Sequence, residues 1–522
     1  MERKLLPLAA ALYLGLSACG GGGGGDNGGG SPAPAPGWVA GVFRPSTEFD
    51  ALCVTPRTGI DPFTGVPFLD RTGTRTDQNN WLRSWTNELY LWYREVPDLN
   101  PANFGTPEYF DLMMTPATTP SGRPKDNFHD SLSTAEWFAL SQSGVSAGYG
   151  VQWMILAQTP PRRLVAAYTE PNSPATQAGI LRGAEVLMVD GADLVNGNGQ
   201  AVVDTLNAGL FPSAAGQNHS FQVRDPGGTV RSFSMQSANV ASTPVQNVTV
   251  LPTPTGPVGY FLFNDHIATS EAQLIAAINQ LIAASVTDLV LDVRYNGGGF
   301  LDIASELAFM IAGPGRTSGQ TFERLTFNDK HTVRDPVTDE LLVPVPFHQA
   351  TRGFSPGLPP GQPLPTLQLS RVFVITGPGT CSASESIMNS LRGVNVAVIQ
   401  IGSTTCGKPY GFYPTDNCGT TYFSIQFSGV NALNFGDYPD GFSPANTVST
   451  PGVLVPGCSI ADDFSRALGD PLEGRLAQAL NYRANSSCSV GPSGFAPGKH
   501  AVPDEEGELP RSVWRESKIL RK

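Results

Sequence analysis

Three short stretches of the 522-residue chain combine groups able to attack a carbonyl. In Gly377-Pro378-Gly379-Thr380-Cys381-Ser382-Ala383-Ser384-Glu385, a serine hydroxyl stands between a strand-like run, 372–376, and a helix-like run, 382–392. The unpaired amides and dipole of a helix N-terminus favour negative charge, so a nucleophile at Ser382 has an anion site beside it. One strand later, in Gly402-Ser403-Thr404-Thr405-Cys406-Gly407-Lys408-Pro409, a lysine falls at the same sheet edge. A lysine stripped of water can take a hydroxyl proton. After the strand 289–293, the turn Asn296-Gly297-Gly298-Gly299 lets backbone approach a ligand and turn its amides outward. The same residues have a plainer reading: Ser382-Ala383-Ser384-Glu385 also fits the capping box that opens ordinary helices, and a single lysine is ordinarily solvated. A Cys381 nucleophile would want an imidazole, and no His lies nearby in sequence. The G-x-S-x-G elbow is absent around Ser382.

The elements around these turns alternate. An apolar strand, 258–263, precedes a helix that Ser270 would cap with Gln273 as its box partner, and Leu274, Ile275, Ile278, Leu281 and Ile282 share one face. Strand 289–293, a helix over 301–312 stopped by Gly313, a Pro-rich excursion over 314–368, strand 372–376, helix 382–392 and strand 396–401 follow. Strands alternating with helices predict a layered α/β domain, taken as 248–488. Upstream, 38–140 reads as a small, mainly helical domain in which Trp81, Trp85, Leu89 and Trp92 form a core stripe. The last stretch, 489–522, has mixed charge and no sustained period, which predicts a mobile tail.

Between them, 143–243 has short β-branched strands and Gly turns. Gly148-Tyr149-Gly150-Val151 resembles the carboxylate-binding loop of a PDZ domain. The stretch from Pro171 to Gly191 resembles the same domain's next motif, with Ala184 where Asp is usual. Amides of such a loop can hold a peptide's terminal carboxylate while the peptide adds as a strand.

Taken in order, 289–299, 376–385 and 402–408 resemble the three blocks of the C-terminal-processing, or tail-specific, serine peptidases. The resemblance implies a crotonase-like/ClpP-like α/β core with a PDZ-like domain and a helical N-terminal segment. It implies Ser382 as nucleophile, Lys408 as general base, and the amides of Gly298 and Ala383 as oxyanion hole. Many members carry a Gln four residues after the lysine to orient it; Phe412 stands there in this chain, and Gln426 is one candidate substitute. The implied activity is endopeptidase cleavage of proteins with exposed C-termini, without a cofactor. The rival readings are a non-catalytic peptide- or lipid-binding lipoprotein that kept the fold, and ester hydrolysis or acyl transfer on the same core.

The start of the chain predicts export. Met1-Glu2-Arg3-Lys4 is basic, 5–16 is apolar, and Leu16-Ser17-Ala18-Cys19 resembles a bacterial lipobox, so 1–18 reads as signal peptide and Cys19 as the lipid-carrying residue. The Gly- and Pro-rich 19–37 reads as a tether holding the body off the cell envelope. Six cysteines remain, permitting three disulfides; sequence proximity suggests Cys406 with Cys418 and Cys458 with Cys488. No CxxC pair, HExxH or His/Cys cluster supports a metal site. Lys and Arg number 33 against 45 Asp and Glu, a net charge of −12 that repels phosphate backbones and argues against nucleic acid as partner.

Overall fold

Strands buried on both faces organise the core of the protein, described here by a computed structural model for residues 38–448 and 452–489 and for the strands Gly507–Glu508 and Lys518–Ile519. Val258–Phe263 and Asp288–Asp292 are buried at every position, the signature of parallel strands covered on both sides. They belong to a six-stranded sheet in the order Val245–Leu251, Val258–Phe263, Asp288–Asp292, Arg371–Thr376, Ala397–Gly402, Gly457–Ser459. The first pair is antiparallel and the others are parallel. Alternation along the strands separates two cores. Leu289, Leu291 and Val293 join the helices Ser270–Ala283, Leu301–Ala312 and Ala383–Gly393. Val290, Phe373 and Ile375 join Leu476 and Ala479 of helix Gly474–Asn485. Because Asp288–Asp292, Arg371–Thr376 and Ala397–Gly402 are parallel neighbours, their C-terminal turns stand side by side at one edge. All three chemical stretches lie in those turns.

Helix Ser270–Ala283 forms where its apolar spacing predicts, but its capping box does not. Gln273 Oε1 accepts the Val245 amide at 3.0 Å, and the Ser270 hydroxyl bonds the backbone of Asp265 and Ile267. The long-range partner outcompeted the local one.

Residues 145–241 form a second body with its own core, including Trp153, Leu164, Val186, Leu206 and Phe221. Its sheet runs Val230–Gln236, Asn218–Arg224, Glu185–Val189, Arg163–Thr169, Val151–Ala157, with helix Gln200–Leu210 beside it. The N-terminal stretch 38–140 has one long helix, Arg75–Leu89, opened by a reciprocal Thr74–Asp77 cap. Trp81 and Trp85 stack on it at 5.2 Å and pack with Tyr109, Phe110 and Tyr422. Trp92 lies beyond the helix end, edge-on to Tyr410 at 4.7 Å. The core partner Tyr422, the pairing of Asp130–Ser133 with Thr420–Phe423 and the Cys53–Cys418 disulfide make this stretch part of the α/β body.

Cys458 pairs with Cys488 as expected, whereas Cys406 pairs with Cys381 and not with Cys418. Cys381 and Cys406 follow neighbouring parallel strands, so sheet order brings them together; Cys418 sits on a hairpin facing the N-terminal stretch. Within 489–522, expected to be a mobile tail, Gly507–Glu508 and Lys518–Ile519 are paired strands. The signal peptide, Cys19 and the tether lie outside the described residues. Among the described residues no helix is long and apolar enough to cross a membrane.

The Pro-rich excursion is anchored by Glu271, which accepts the amides of Arg352, Gly353, Phe354 and Ser355. Burial first, and then neighbouring Glu271, push Glu306 up to about 10. The folded protein therefore keeps a proton that the unfolded chain releases near an ordinary glutamate value. This contribution to stability is complete below that ordinary value and is lost as pH rises toward the raised one, by up to ~1.4 kcal/mol per pH unit. Glu306→Gln is expected to flatten the fall in urea midpoint between weakly acidic and alkaline pH relative to wild type. Parallel profiles for the two proteins would refute the assignment.

Candidate active site

The turn after Arg371–Thr376 is built to present Ser382. Gly377 passes so close to strand Asp288–Asp292's exit that a Cβ there would lie 2.6 Å from the Arg294 carbonyl oxygen. Thr380 Oγ1 donates to the Val293 carbonyl at 2.8 Å, and the Cys381 amide donates to the Asn296 carbonyl at 3.1 Å. The serine turn is thereby tied to the glycine turn. Ser382, at the N-cap position, has φ 58° and ψ −110°, a conformation that costs a non-glycine residue on the order of 1–3 kcal/mol and lies outside the extended region usual for N-caps.

That backbone separates the two readings of the Ser-x-x-Glu motif. The carboxylate half of the box is made, the Ser382 amide donating to Glu385 Oε2 at 2.9 Å. The hydroxyl half is not: Ser382 is fully buried, and its Oγ has no hydrogen-bond partner among the described residues. Ala383 opens the helix Ala383–Gly393, where an amide has no intrahelical carbonyl to meet.

Glu385 joins the two loops. Its Oε2 accepts both the Ser382 amide and the Lys408 amide, at 2.9 and 2.8 Å, so the two backbone nitrogens are separated by no more than the sum of those bonds. Its Oε1 accepts the Gly407 amide at 2.9 Å and the Thr405 hydroxyl at 2.5 Å. Burial raises the Glu385 carboxyl, and these donors, Thr405 foremost, oppose the rise. The Cys381–Cys406 disulfide, with Cα atoms 5.2 Å apart, clamps the same two loops covalently. Cys381, Glu385 and Cys406 are the group among the described residues close enough to suggest a metal, but their sulfurs are bonded to each other.

Lys408 is fully buried, its Nζ 4.0 Å from the Phe128 ring centre and 5.2 Å from that of Phe412. Phe412, at the position where a glutamine was expected, therefore walls the amine with an apolar face. Gln426 does not replace that glutamine: its Oε1 accepts the Tyr413 amide at 3.1 Å and its Nε2 donates to the Tyr413 carbonyl at 3.4 Å. Pairing with a peptide two strand positions away consumed its polar atoms. Phe128 escaped sequence analysis because it comes from the N-terminal stretch.

Gly298 departs from expectation as well. Its amide donates to Asn296 Oδ1 at 2.9 Å, and its carbonyl accepts the His266 amide. The asparagine side chain has folded back over its own turn, as Asx residues do. Asn296 Nδ2 donates to the Phe263 carbonyl at 3.0 Å, which orients its oxygen toward His266 Nδ1, also at 3.0 Å. Nδ1 is then the protonated nitrogen of His266, and Nε2 carries a lone pair. Nε2 is buried with no partner among the described residues, and burial pushes the ring down to about 3. Nothing in the sequence around this lone histidine distinguished it.

In the second β body, Gly148, Tyr149, Gly150 and Val151 line a groove of about 180 Å³ together with Leu210 and Phe211 at the end of helix Gln200–Leu210. Gly150 has φ 71°, and a Cβ there would lie 2.4 Å from Ser173. A buried ion cluster connects this body to the glycine turn. Arg182 donates to the Tyr295 hydroxyl at 2.6 Å and to Asp462 at 2.7 Å, and Tyr295 immediately precedes Asn296.

Comparisons agree with this architecture. Residues 257–412 match peptidase family S41, and residues 77–119 match the peptidase S41 N-terminal domain. The chain is 30% identical over 224 residues to the carboxyl-terminal-processing protease of Picosynechococcus sp., an alignment covering 41% of this chain and 50% of that protein. It is 26% identical over 242 residues to the chloroplastic carboxyl-terminal-processing peptidase 1 of Arabidopsis thaliana, covering 45% of this chain and 42% of that one. The chain thus spans about half the length of the curated relatives it matches. A crystal structure from Bacteroides fragilis assigned to the S41 proteases shares the fold, with TM-score 0.57 and 21% identity over 78% of this chain and 97% of that one. The chain thus carries a peptidase S41 domain and a peptidase S41 N-terminal domain, and over about half the length of its relatives it is similar to the carboxyl-terminal-processing peptidases.

Proposed function

We propose that this protein is an exported serine endopeptidase of the C-terminal-processing type, working through Ser382 and Lys408. The observation that carries the reading is the buried Ser382 hydroxyl, held on a strained turn, unused as a cap and bound through Glu385 to the Lys408 loop. Ser382 Oγ attacks the peptide carbonyl while its proton passes to the neutral Lys408 amine, and the Ala383 amide receives the oxyanion. The Gly298 amide joins it when released from Asn296. Collapse expels the amine, which takes the proton from Lys408. The neutral Lys408 amine then takes a proton from water, which attacks the acyl-enzyme, and passes that proton to Ser382 Oγ as the acid product leaves. The groove beside Gly148, Tyr149, Gly150 and Val151 captures the substrate's C-terminal carboxylate in the manner of a PDZ domain.

Export and a lipid anchor at Cys19 on the bacterial cell envelope form part of the proposal, supported by the lipobox-like start and by three disulfides in the described residues. Phe412 favours one rival, a peptide- or lipid-binding lipoprotein without turnover, because an apolar ring stands beside Lys408 at the position where the resemblance led one to expect glutamine. Purified protein incubated with an unstructured polypeptide distinguishes them. Cleavage that depends on Ser382 and slows when the substrate's C-terminus is amidated is expected; cleavage surviving in Ser382→Ala would overturn the assignment.

Glu385 acts as a positioning residue. Glu385→Gln turns an NH2 group toward backbone donors that now share two carboxylate oxygens. It is expected to lower kcat by about a hundredfold, as misplacement of reacting groups does, with KM little changed. An equal loss in kcat/KM arising from KM alone would assign Glu385 to binding instead.

A further inference from the structure

The chain's own C-terminal segment fills the two sheet edges that a captured peptide would use. Gly507 and Glu508 pair antiparallel with Ile155 and Met154, on the strand Val151–Ala157 that leaves the carboxylate-type loop and borders the groove. Ten residues on, Lys518 and Ile519 lie parallel between two strands. On one side they face Gly299 and Phe300, which continue the glycine turn; on the other they face Gly411 and Phe412, which continue the Lys408 loop. The Phe300 amide is already given to the His266 carbonyl and the Gly411 carbonyl already accepts the Gln426 amide; without this insertion the remaining edges of Gly299–Phe300 and Tyr410–Phe412 would face one another across a strand-wide slot next to the turns that carry Ser382 and Lys408. Such a slot takes an extended peptide by strand addition.

The order of the two contacts identifies what the tail does. A protein caught by its C-terminus places its last residues in the groove and earlier residues in the cleft. Here the earlier segment, 507–508, sits at the groove edge, and the later one, 518–519, sits in the cleft. The tail therefore occupies both tracks in the order opposite to a captured substrate. We propose that the strands Gly507–Glu508 and Lys518–Ile519 act as an internal competitor, an autoinhibitory strand pair that a substrate must displace. The inference rests on the peptidase reading of the cleft.

Proline cannot donate a strand hydrogen bond, so full-length Ile519→Pro and Glu508→Pro each release one contact while leaving the rest of the chain intact. Hydrogen exchange is expected to quicken about tenfold at 299–300 and 411–412 in Ile519→Pro, and at 151–157 in Glu508→Pro. Hydrolysis of an unstructured polypeptide is expected to rise about tenfold in Ile519→Pro and to fall again on adding a synthetic peptide of residues 505–522. Unchanged exchange at both places overturns the proposal, even where Ser382-dependent hydrolysis is present. Faster exchange without any hydrolysis upholds tail docking and removes the peptidase reading instead.

Discussion

Lys408→Met is expected to lower kcat for peptide cleavage by roughly 10³-fold, within the range lost when a general base is removed. Methionine keeps an unbranched apolar stem between Phe128 and Phe412, so loss of activity is not loss of packing. Lys408→Arg should be as inactive as Lys408→Met, because a guanidinium keeps the positive charge but cannot surrender its proton. That comparison tells a base from a mere electrostatic partner. Nucleophile and base act as a unit, so Ser382→Ala combined with Lys408→Met should cost little more than Ser382→Ala alone. A Lys408→Arg enzyme within tenfold of wild type would remove the lysine from the chemistry.

Arg294→Met should destabilise the α/β body by about 3–5 kcal/mol, the effect of removing one partner from a buried ionic cluster. The guanidinium is fully buried and holds Asp292 at 2.8 Å and Glu473 at 2.9 Å, with Asp462 on the same nitrogen as Glu473. The neighbouring arginines, Arg182 first, hold Asp462 well below the usual carboxylate range against its burial, and Arg294 lowers Glu473. Carboxyls held low contribute stability above their ordinary range, and that contribution disappears as pH falls toward their depressed values. The destabilisation should therefore be large at neutral pH and shrink in acid, as a urea series on both proteins would read. A loss under about 1 kcal/mol at neutral pH would mean that the carboxylates found other partners. Because Tyr295 and Arg182 share Asp462, the same variant should disturb the Asn296–Gly299 turn.

Much of this molecule was legible as local pattern. Continuous apolar runs predicted Val258–Phe263, Asp288–Asp292 and Arg371–Thr376, and helical spacing predicted Ser270–Ala283. The resemblance to the C-terminal-processing peptidases rested on three ordered blocks of residues whose turns a parallel sheet gathers at one edge. A strand's burial pattern and a helix's periodic face are properties of neighbouring residues, and for that reason composition and spacing reveal them.

Hydrogen-bond destinations were not legible, because each is a competition among groups distant in sequence. Gln273 went to Val245, Gln426 to Tyr413 and the Gly298 amide to Asn296, while Ser382's hydroxyl was left out of a box its motif spells. Phe128 and His266 entered the site through packing, and Cys406 found Cys381 through strand order. The tail looked aimless since two-residue strands have no period of their own; they exist only where Val151–Ala157 and the cleft offer open edges. The sequence by itself determined which elements form and which residue types meet at the sheet edge. Tertiary structure decided which polar atoms remained unpaired there, because a buried donor or acceptor takes the best partner within reach, and reach is known only when the chain has folded.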